Sequence, residues 1–217
     1  MPMPNDPFAV PHWNMVQAHQ TFKVGYDNIV RLLEDPPMND LNNFLGYCEA
    51  WALSIGGHHD TEEHVVFPFL NQKMDFSGEI EQHKGIHAAL DRLVETIHSA
   101  QVDSSKFDAV AMQKLMKDFR EPLFTHLDEE VEHILPAKIR AAGFTEAEVT
   151  QNSADMLVFA KGHGDPFMNV PFMVSHTAPE HKVEWPGIPW AVRKGIIPYV
   201  LAMRHRGYWK YSPYALS

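Results

Sequence analysis

An all-α fold, a helix bundle, is the architecture this sequence predicts, and three observations predict it. Apolar residues recur with helical periodicity from about residue 12 to residue 160. No comparable stretch alternates with the period of two that a strand needs. Prolines and cap-forming residues also punctuate the helical stretches at intervals that suit four long helices.

The first helix is expected over His12 to Leu33, where Val16, Phe22, Tyr26, Ile29 and Leu33 make a mostly apolar stripe, with Pro36 and Pro37 ending it. The second starts after Asn39 or Asp40 as cap and runs through Phe44, Trp51 and Ile55 to Pro68, with Gly56 and Gly57 as a point of bending before His58. The third spans Glu79 to Ala100, with Ile80, Ile86, Leu90, Leu93 and Ile97 on or near one face. The fourth spans Lys106 to Ala141, kinked at Pro122 and stopped by Gly143. Thr145 and Glu148 have the spacing of a capping box for a short fifth helix that ends near Gly162. From residue 162 to 217 seven prolines interrupt a stretch rich in Phe, Trp and Tyr, which reads as an extension of the 1–161 body and not as a further bundle layer. The extension carries six cations (Lys182, Arg193, Lys194, Arg204, Arg206, Lys210) against three acids (Asp165, Glu180, Glu184). It is therefore expected to pack back on the acidic body, where its aromatic rings find burial.

Composition narrows the function. The 217 residues suit one domain with an appendage, and 45% hydrophobic with 21% charged residues is ordinary for a globular protein. A formal net charge of −10 repels a phosphate backbone or an anionic bilayer, so neither nucleic acid nor membrane is an expected partner. Met1 to Val10 lacks a basic region followed by an apolar run, and the apolar run 195–203 is too short for a bilayer, so a cytoplasmic location is the expectation. Cys48 is the only cysteine, which excludes thiolate-rich zinc and iron–sulfur sites. Any metal must bind to imidazole and carboxylate, and the chain has 14 histidines.

Two segments repeat one arrangement at an offset of 68 residues: His58-x-x-x-Glu62 followed by Pro68, and His126-x-x-x-Glu130 followed by Pro136. Residues i and i+4 lie one above the other on a helix face, so each pair presents a nitrogen and a carboxylate to one point in space. The third helix adds His83-x-x-x-His87 and the first adds His19. His59 and Glu63 have the same spacing one residue out of phase; the repeat with His126 and Glu130 favours His58 and Glu62, and the slip by one stays open. His12 and His133 lie seven residues from His19 and His126 and can support the ligand face from behind, whereas His64 and His98 read as surface residues. His163, His176 and His181 lack ligand spacing. Five imidazoles and two carboxylates inside a bundle are costly unless metal coordination replaces their hydration. Seven ligands exceed one zinc ion and suit two six-coordinate ions, iron first and manganese as the alternative.

In ligand type and helix order, His19, His58, Glu62, His83, His87, His126 and Glu130 resemble the hemerythrin-like, HHE cation-binding family. The segments HHDTEEHVVFP, EHKGIH and HLDEEVEHILP are similar to that family's second, third and fourth helices, and the resemblance covers residues 12–141. It implies an up-down four-helix bundle with two iron ions. One would take His83, His87 and His126, the other His19 and His58, with Glu62 and Glu130 bridging and the two-histidine ion open to dioxygen. Glu130 sits at i+4 as in HHE proteins, whereas oxygen-carrying hemerythrins use an aspartate one residue later, which weighs against a pure carrier.

Three functions follow from such a site. Two ferrous ions carry four positive charges, of which two glutamates and a bridging hydroxide cancel three, so a histidine-rich centre suits milder oxygen chemistry than a four-carboxylate one. The first reading is an oxidoreductase acting on a small organic substrate with an external electron donor. There the extension serves as a lid, with Trp185, Trp190, Tyr199, Tyr208, Trp209 and Tyr211 as candidate wall residues. The second is a non-enzymatic carrier, store or sensor of oxygen or iron. The third gives the metal a mainly structural role.

Overall fold

The computed structural model describes residues 2–216. Helix α1 is Ala9–Leu32 and α2 is Leu41–Thr61, which continues through a π-helical turn, Glu62–Val66, into α3, Phe67–Leu70. Then follow α4 (Ser77–Val102), α5 (Ala109–His133), α6 (Pro136–Ala141), α7 (Glu146–His163) and α8 (Pro166–His176). Among the described residues there is no strand.

Helices α1, α2, α4 and α5 form the bundle: α1 packs on α2, α2 on α4, α4 on α5, and α5 back on α1. Two apolar clusters occupy its two ends. One contains Phe22, Phe44, Trp51, Ile55, Ile86, Leu93, Met116 and Leu123. The other contains Phe8, Met15, Val66, Phe67, Phe76 and Ile134. Each long helix runs from one cluster to the other in alternating direction, which is the up-down topology. His19, His58, His83 and His126 fall on the stretch between, so the bundle holds a polar layer sandwiched between two apolar plugs.

Several elements differ from the sequence expectation, each for a local reason. Met15, not Val16, is buried on α1, and Val16 is exposed. Neither Asn39 nor Asp40 caps α2 by its side chain; a short 3₁₀ turn, Met38–Asp40, leads into it. The Asp40 carboxylate instead accepts from Asn43 Nδ2, Tyr211 Oη and Lys210 Nζ. The α2 helix continues through Gly56 and Gly57, and its irregularity comes later, at the π turn. Asn152 Nδ2 of α7 donates to the Val65 carbonyl at 3.1 Å and ties α7 to that turn. The expected single fourth helix is two, because Pro136 holds Leu135 extended (φ −52°, ψ 139°). Helix α5 continues through Pro122. The capping box is present: Thr145 Oγ1 accepts from Glu148 N, and Glu148 Oε2 from Thr145 N at 2.6 Å. The fifth helix it starts, α7, is long, with 18 residues.

The proline-rich extension contains a helix that proline did not prevent. Pro166 occupies the first turn of α8, where its missing N–H costs nothing, and Asp165 accepts from Phe167 N at 2.8 Å. Helix α8 lies across α1 and α2. Beyond it, Tyr208 seats its ring where a side chain at Gly46 would be: a Cβ there would lie 2.1 Å from Tyr208 Cζ. Trp209 is buried in the bundle core, Tyr211 packs edge-on against Phe44, and Asn28 Nδ2 donates to the Tyr211 carbonyl at 2.7 Å.

His176 locks this arrangement. Its ring is buried, Nδ1 donates to the Phe172 carbonyl at 2.8 Å, and Nε2 accepts from Tyr47 Oη at 2.7 Å. Burial pushes its pKa from the ordinary 6.5 down to about 3. Between those values the unfolded chain binds a proton here that the folded chain does not, so stability falls as pH drops below 6.5, by ~1.4 kcal/mol per pH unit. His176→Phe is expected to be less stable than the parent at pH 7, having left the buried Tyr47 hydroxyl without an acceptor for its proton, with the gap narrowing toward pH 4 in denaturant titrations. A gap independent of pH would contradict the buried neutral imidazole.

Candidate metal centre

The layer between the plugs holds two groups of donors. His19, His58, Glu62 and Glu130 bring one ligand atom each to within 4.8 Å of one another, and His59, His83 and His126 do the same beside them. Facing nitrogens stand at coordination spacing: His19 Nε2 to His58 Nε2 is 3.0 Å, and His83 Nε2 to His126 Nε2 is 3.0 Å. Two metal–nitrogen bonds of about 2.1 Å at right angles place their nitrogens about 3 Å apart. The glutamates join the groups. Glu62 Oε1 lies 2.7 Å from His58 Nε2 and its Oε2 3.6 Å from His83 Nε2. Glu130 Oε2 lies 3.3 Å from His19 Nε2 and 3.8 Å from His126 Nε2. Each carboxylate thus faces one imidazole of either group.

The far side of three of the rings is held in the way a ligand needs. His19 Nδ1 donates to the Leu127 carbonyl at 2.8 Å, His83 Nδ1 to Glu63 Oε1 at 2.9 Å, and His126 Nδ1 to Gln82 Oε1 at 2.9 Å. Those contacts put the proton on Nδ1 and turn the Nε2 lone pair inward. Between His83 and His126, both anchored at Nδ1, two lone pairs 3.0 Å apart repel unless a cation lies between them.

Burial agrees with this reading. Desolvation drives the His83 and His126 pKa values down to about 3 and His58 to about 4, and those of His19 and His59 well below the ordinary range. The imidazoles are therefore neutral, the form that binds metal. Desolvation likewise drives Glu62 and Glu130 well above the ordinary carboxyl range, with Glu62 adding its charge against Glu130. Among the described residues no oxygen of Glu62 or Glu130 has a hydrogen-bond partner of ordinary geometry, although both side chains are fully buried. Four orphaned carboxylate oxygens in an apolar bundle fit a site built for cations.

Of the seven residues singled out in the sequence, the structure brings together His19, His58, Glu62, His83, His126 and Glu130. His87 stands apart: its side chain is 32% exposed and its Nε2 lies 3.7 Å from Glu63 Oε1. With Glu63 and His83 it forms a third group of donors, at the edge of the layer. His59 is the residue that the 68-residue repeat ranked behind His58; it is fully buried and stacks on His83 with ring centroids 4.0 Å apart. The His58-His59 doublet was the signal. Adjacent helical residues diverge by about 100°, so both reach the interior only where a helix is surrounded, and α2 contacts α1, α4, α7 and α8. Glu63, named in the sequence only as the partner of His59 in the out-of-phase pair, orients His83, and Gln82, which gave no signal of its own, orients His126.

The remaining histidines are accounted for elsewhere. His133 pairs with Glu79 at 2.6 Å and stacks on Phe76. His64 stacks on Phe159, and His98 pairs with Glu49. Like His12, His163, His176 and His181, they belong to no donor group among the described residues.

A hemerythrin HHE cation binding domain matches residues 10–137. The chain belongs to that family. It is 24% identical over 182 residues to the dimeric xanthone biosynthesis cluster protein R11 of Cryptosporiopsis sp. (strain 8999), a match that covers 80% of this chain and 66% of that relative. No solved structure matches the chain. The helices and donor groups fit a metal-binding protein, and the matched region ends within α6, before α7, α8 and the aromatic tail.

The extension reaches the donor layer by a route the sequence did not indicate. Tyr208, Trp209 and Tyr211 anchor on α2 around residues 44–47, about 16 Å along the helix from His58. Trp190 and Tyr199 are exposed, while Trp185 is buried. The contact comes from α8: Phe172 stacks on Phe22, which tilts against His58 with centroids 5.1 Å apart. No described helix is long and apolar enough to cross a membrane.

Proposed function

We propose that this chain is a non-haem di-iron protein that reacts with dioxygen and oxidises a small organic substrate, with reducing equivalents from an external donor. The observation that carries the reading is the placement of Glu62 and Glu130, buried and unpartnered, each facing an imidazole of both donor groups. Nitrogen and carboxylate donors without thiolate favour iron, with manganese as the alternative. Two ferrous ions held there would supply two electrons for dioxygen reduction.

The chain's own residues set the conditions for that chemistry. Glu62 and Glu130 offset part of the charge of two cations. Glu63, Gln82 and the Leu127 carbonyl fix the rings and keep their inward nitrogens unprotonated. His59, His83 and His126 are fully buried, whereas His58 is 19% exposed, so small molecules reach the layer from the His19 and His58 side. Phe22 and Phe172 stand on that side and limit water. The name of the Cryptosporiopsis relative, a biosynthesis cluster protein, supports a small organic molecule as the substrate class.

The histidine-rich donor set also suits a non-enzymatic alternative, a carrier, store or sensor of oxygen or iron. Anaerobic loading with ferrous iron, followed by oxygen with and without a reductant, separates the two. Continuing oxygen consumption coupled to reductant and substrate is the expected result; one reversible, stoichiometric uptake without turnover would replace the enzyme reading with the carrier. Phe172→Leu, which thins the wall at His58, is expected to raise reductant consumption not coupled to substrate. Unchanged coupling would remove Phe172 from this role.

A further inference from the structure

We propose that His59, and not His87, supplies the third imidazole of the inner metal position, alongside His83 and His126. The proposal rests on the two-metal reading and concerns which residues complete it. The i, i+4 spacing on α4 favours His87, yet the packed structure favours its competitor on three independent grounds.

The first is an unmet requirement. His59 is 0% exposed, and neither of its ring nitrogens has a hydrogen-bond partner. Every other fully buried imidazole is anchored: His83 on Glu63, His126 on Gln82, and His176 on both Tyr47 and the Phe172 carbonyl. An imidazole has one nitrogen that donates and one that accepts, and leaving both unmade in an apolar interior is strongly unfavourable. Coordination through either nitrogen resolves the acceptor and explains why a histidine, and not an apolar residue, occupies the position.

The second is placement. The His59 ring lies face to face with His83, 4.0 Å away at 14°, and meets the edge of His126 at 5.2 Å. One donor atom from each of the three lies within 4.8 Å of the other two. No hydrogen bond holds the His59 ring in its present orientation.

The third is that His87 sits on the wrong edge of His83. Nε2 of His83 faces His126, while its Nδ1 faces Glu63. The nearest charged partner of His87 is that same Glu63 oxygen, at 3.7 Å, and its side chain is 32% exposed. His87 thus stands on the outer side of the carboxylate that orients His83, away from the nitrogen that faces His126. The π turn at Glu62–Val66 begins right after Thr61 and sets Glu63 outward toward α4, between His83 and His87.

The test is the iron content of the full chain after anaerobic loading with ferrous iron and removal of excess, for the parent, His59→Ala, His59→Gln and His87→Ala. Two irons per chain are expected for the parent and for His87→Ala, and one for both His59 variants, a twofold drop. The metal-free melting curve of each variant shows that it folds; glutamine at position 59 keeps most of the ring's volume, so a folded His59→Gln with one iron separates a lost ligand from a lost core. Added imidazole is expected to restore the second iron to His59→Ala, which a purely structural histidine would not allow. Loss of iron from His87→Ala equal to or larger than that from His59→Ala overturns the proposal, as does retention of two irons by both His59 variants. A parent that never binds two irons refutes the two-metal reading itself and is read before any variant.

Discussion

Glu130→Gln is expected to lose most of the iron that the parent holds and, at the same time, to be more stable than the parent when both are metal-free. The two effects have opposite signs because one side chain causes both. In the folded chain Glu130 is fully buried, its oxygens lack hydrogen-bond partners, and Glu62 stands beside it. Without a cation this is an uncompensated polar burial, and a neutral amide relieves about 1–3 kcal/mol of it. With cations the carboxylate faces His19 of one group and His126 of the other, so its loss weakens both positions. Melting curves with and without ferrous iron read both effects. A variant that keeps the full metal-induced rise in melting temperature, or that is less stable than the parent without metal, would contradict a cation site at this carboxylate.

Metal removal from the parent carries the second large effect. A ligand present at a thousandfold its dissociation constant stabilises the folded state by about 4 kcal/mol for each site. For a chain of this size about 1 kcal/mol moves the melting temperature by roughly 2–4 °C. Chelation of two ions is therefore expected to lower it by on the order of 15 °C or more, with the α-helical signal retained, since the two apolar clusters persist at either end of the donor layer. The strain of the metal-free state is local: nitrogens 3.0 Å apart and four unpartnered carboxylate oxygens. A melting temperature that ignores chelation would mean that the layer is stable without cations and would leave the orphaned oxygens unexplained.

Most of the bundle was legible in the sequence, because its signals are local. The apolar stripes of α1, α2, α4 and α5 repeat at helical spacing, and the Thr145 to Glu148 capping box lies within four residues. The features that were not legible depend on partners distant in the chain. Whether His58 or His59 faces inward is undetermined for an isolated helix, and both do so only because α2 is enclosed on several sides. Glu63 gains its role from His83, 20 residues away, through a π turn that no local propensity specifies. Helix α8 was hidden by Pro166 and Pro171, residues that read as breakers until one of them is placed in the first turn. The aromatic tail was expected to pack on the acidic body because its rings need burial, and, in the oxidoreductase reading, to wall the site as a lid. Its rings found that burial mainly at the other end of α2, in the space left by Gly46 and around Phe44.

The donor layer, more than the extension, decides what the protein is. The relevant quantity is the number of ions bound between His19, His58, Glu62, His83, His126 and Glu130 and whether they share a bridge. Iron counting combined with Mössbauer spectroscopy in an applied field, on protein loaded anaerobically and then oxidised, measures both. Two irons per chain, with paired spins giving a diamagnetic ground state, are what this arrangement predicts. A single iron, or two ferric ions that behave as isolated high-spin centres, would contradict carboxylates that face both groups.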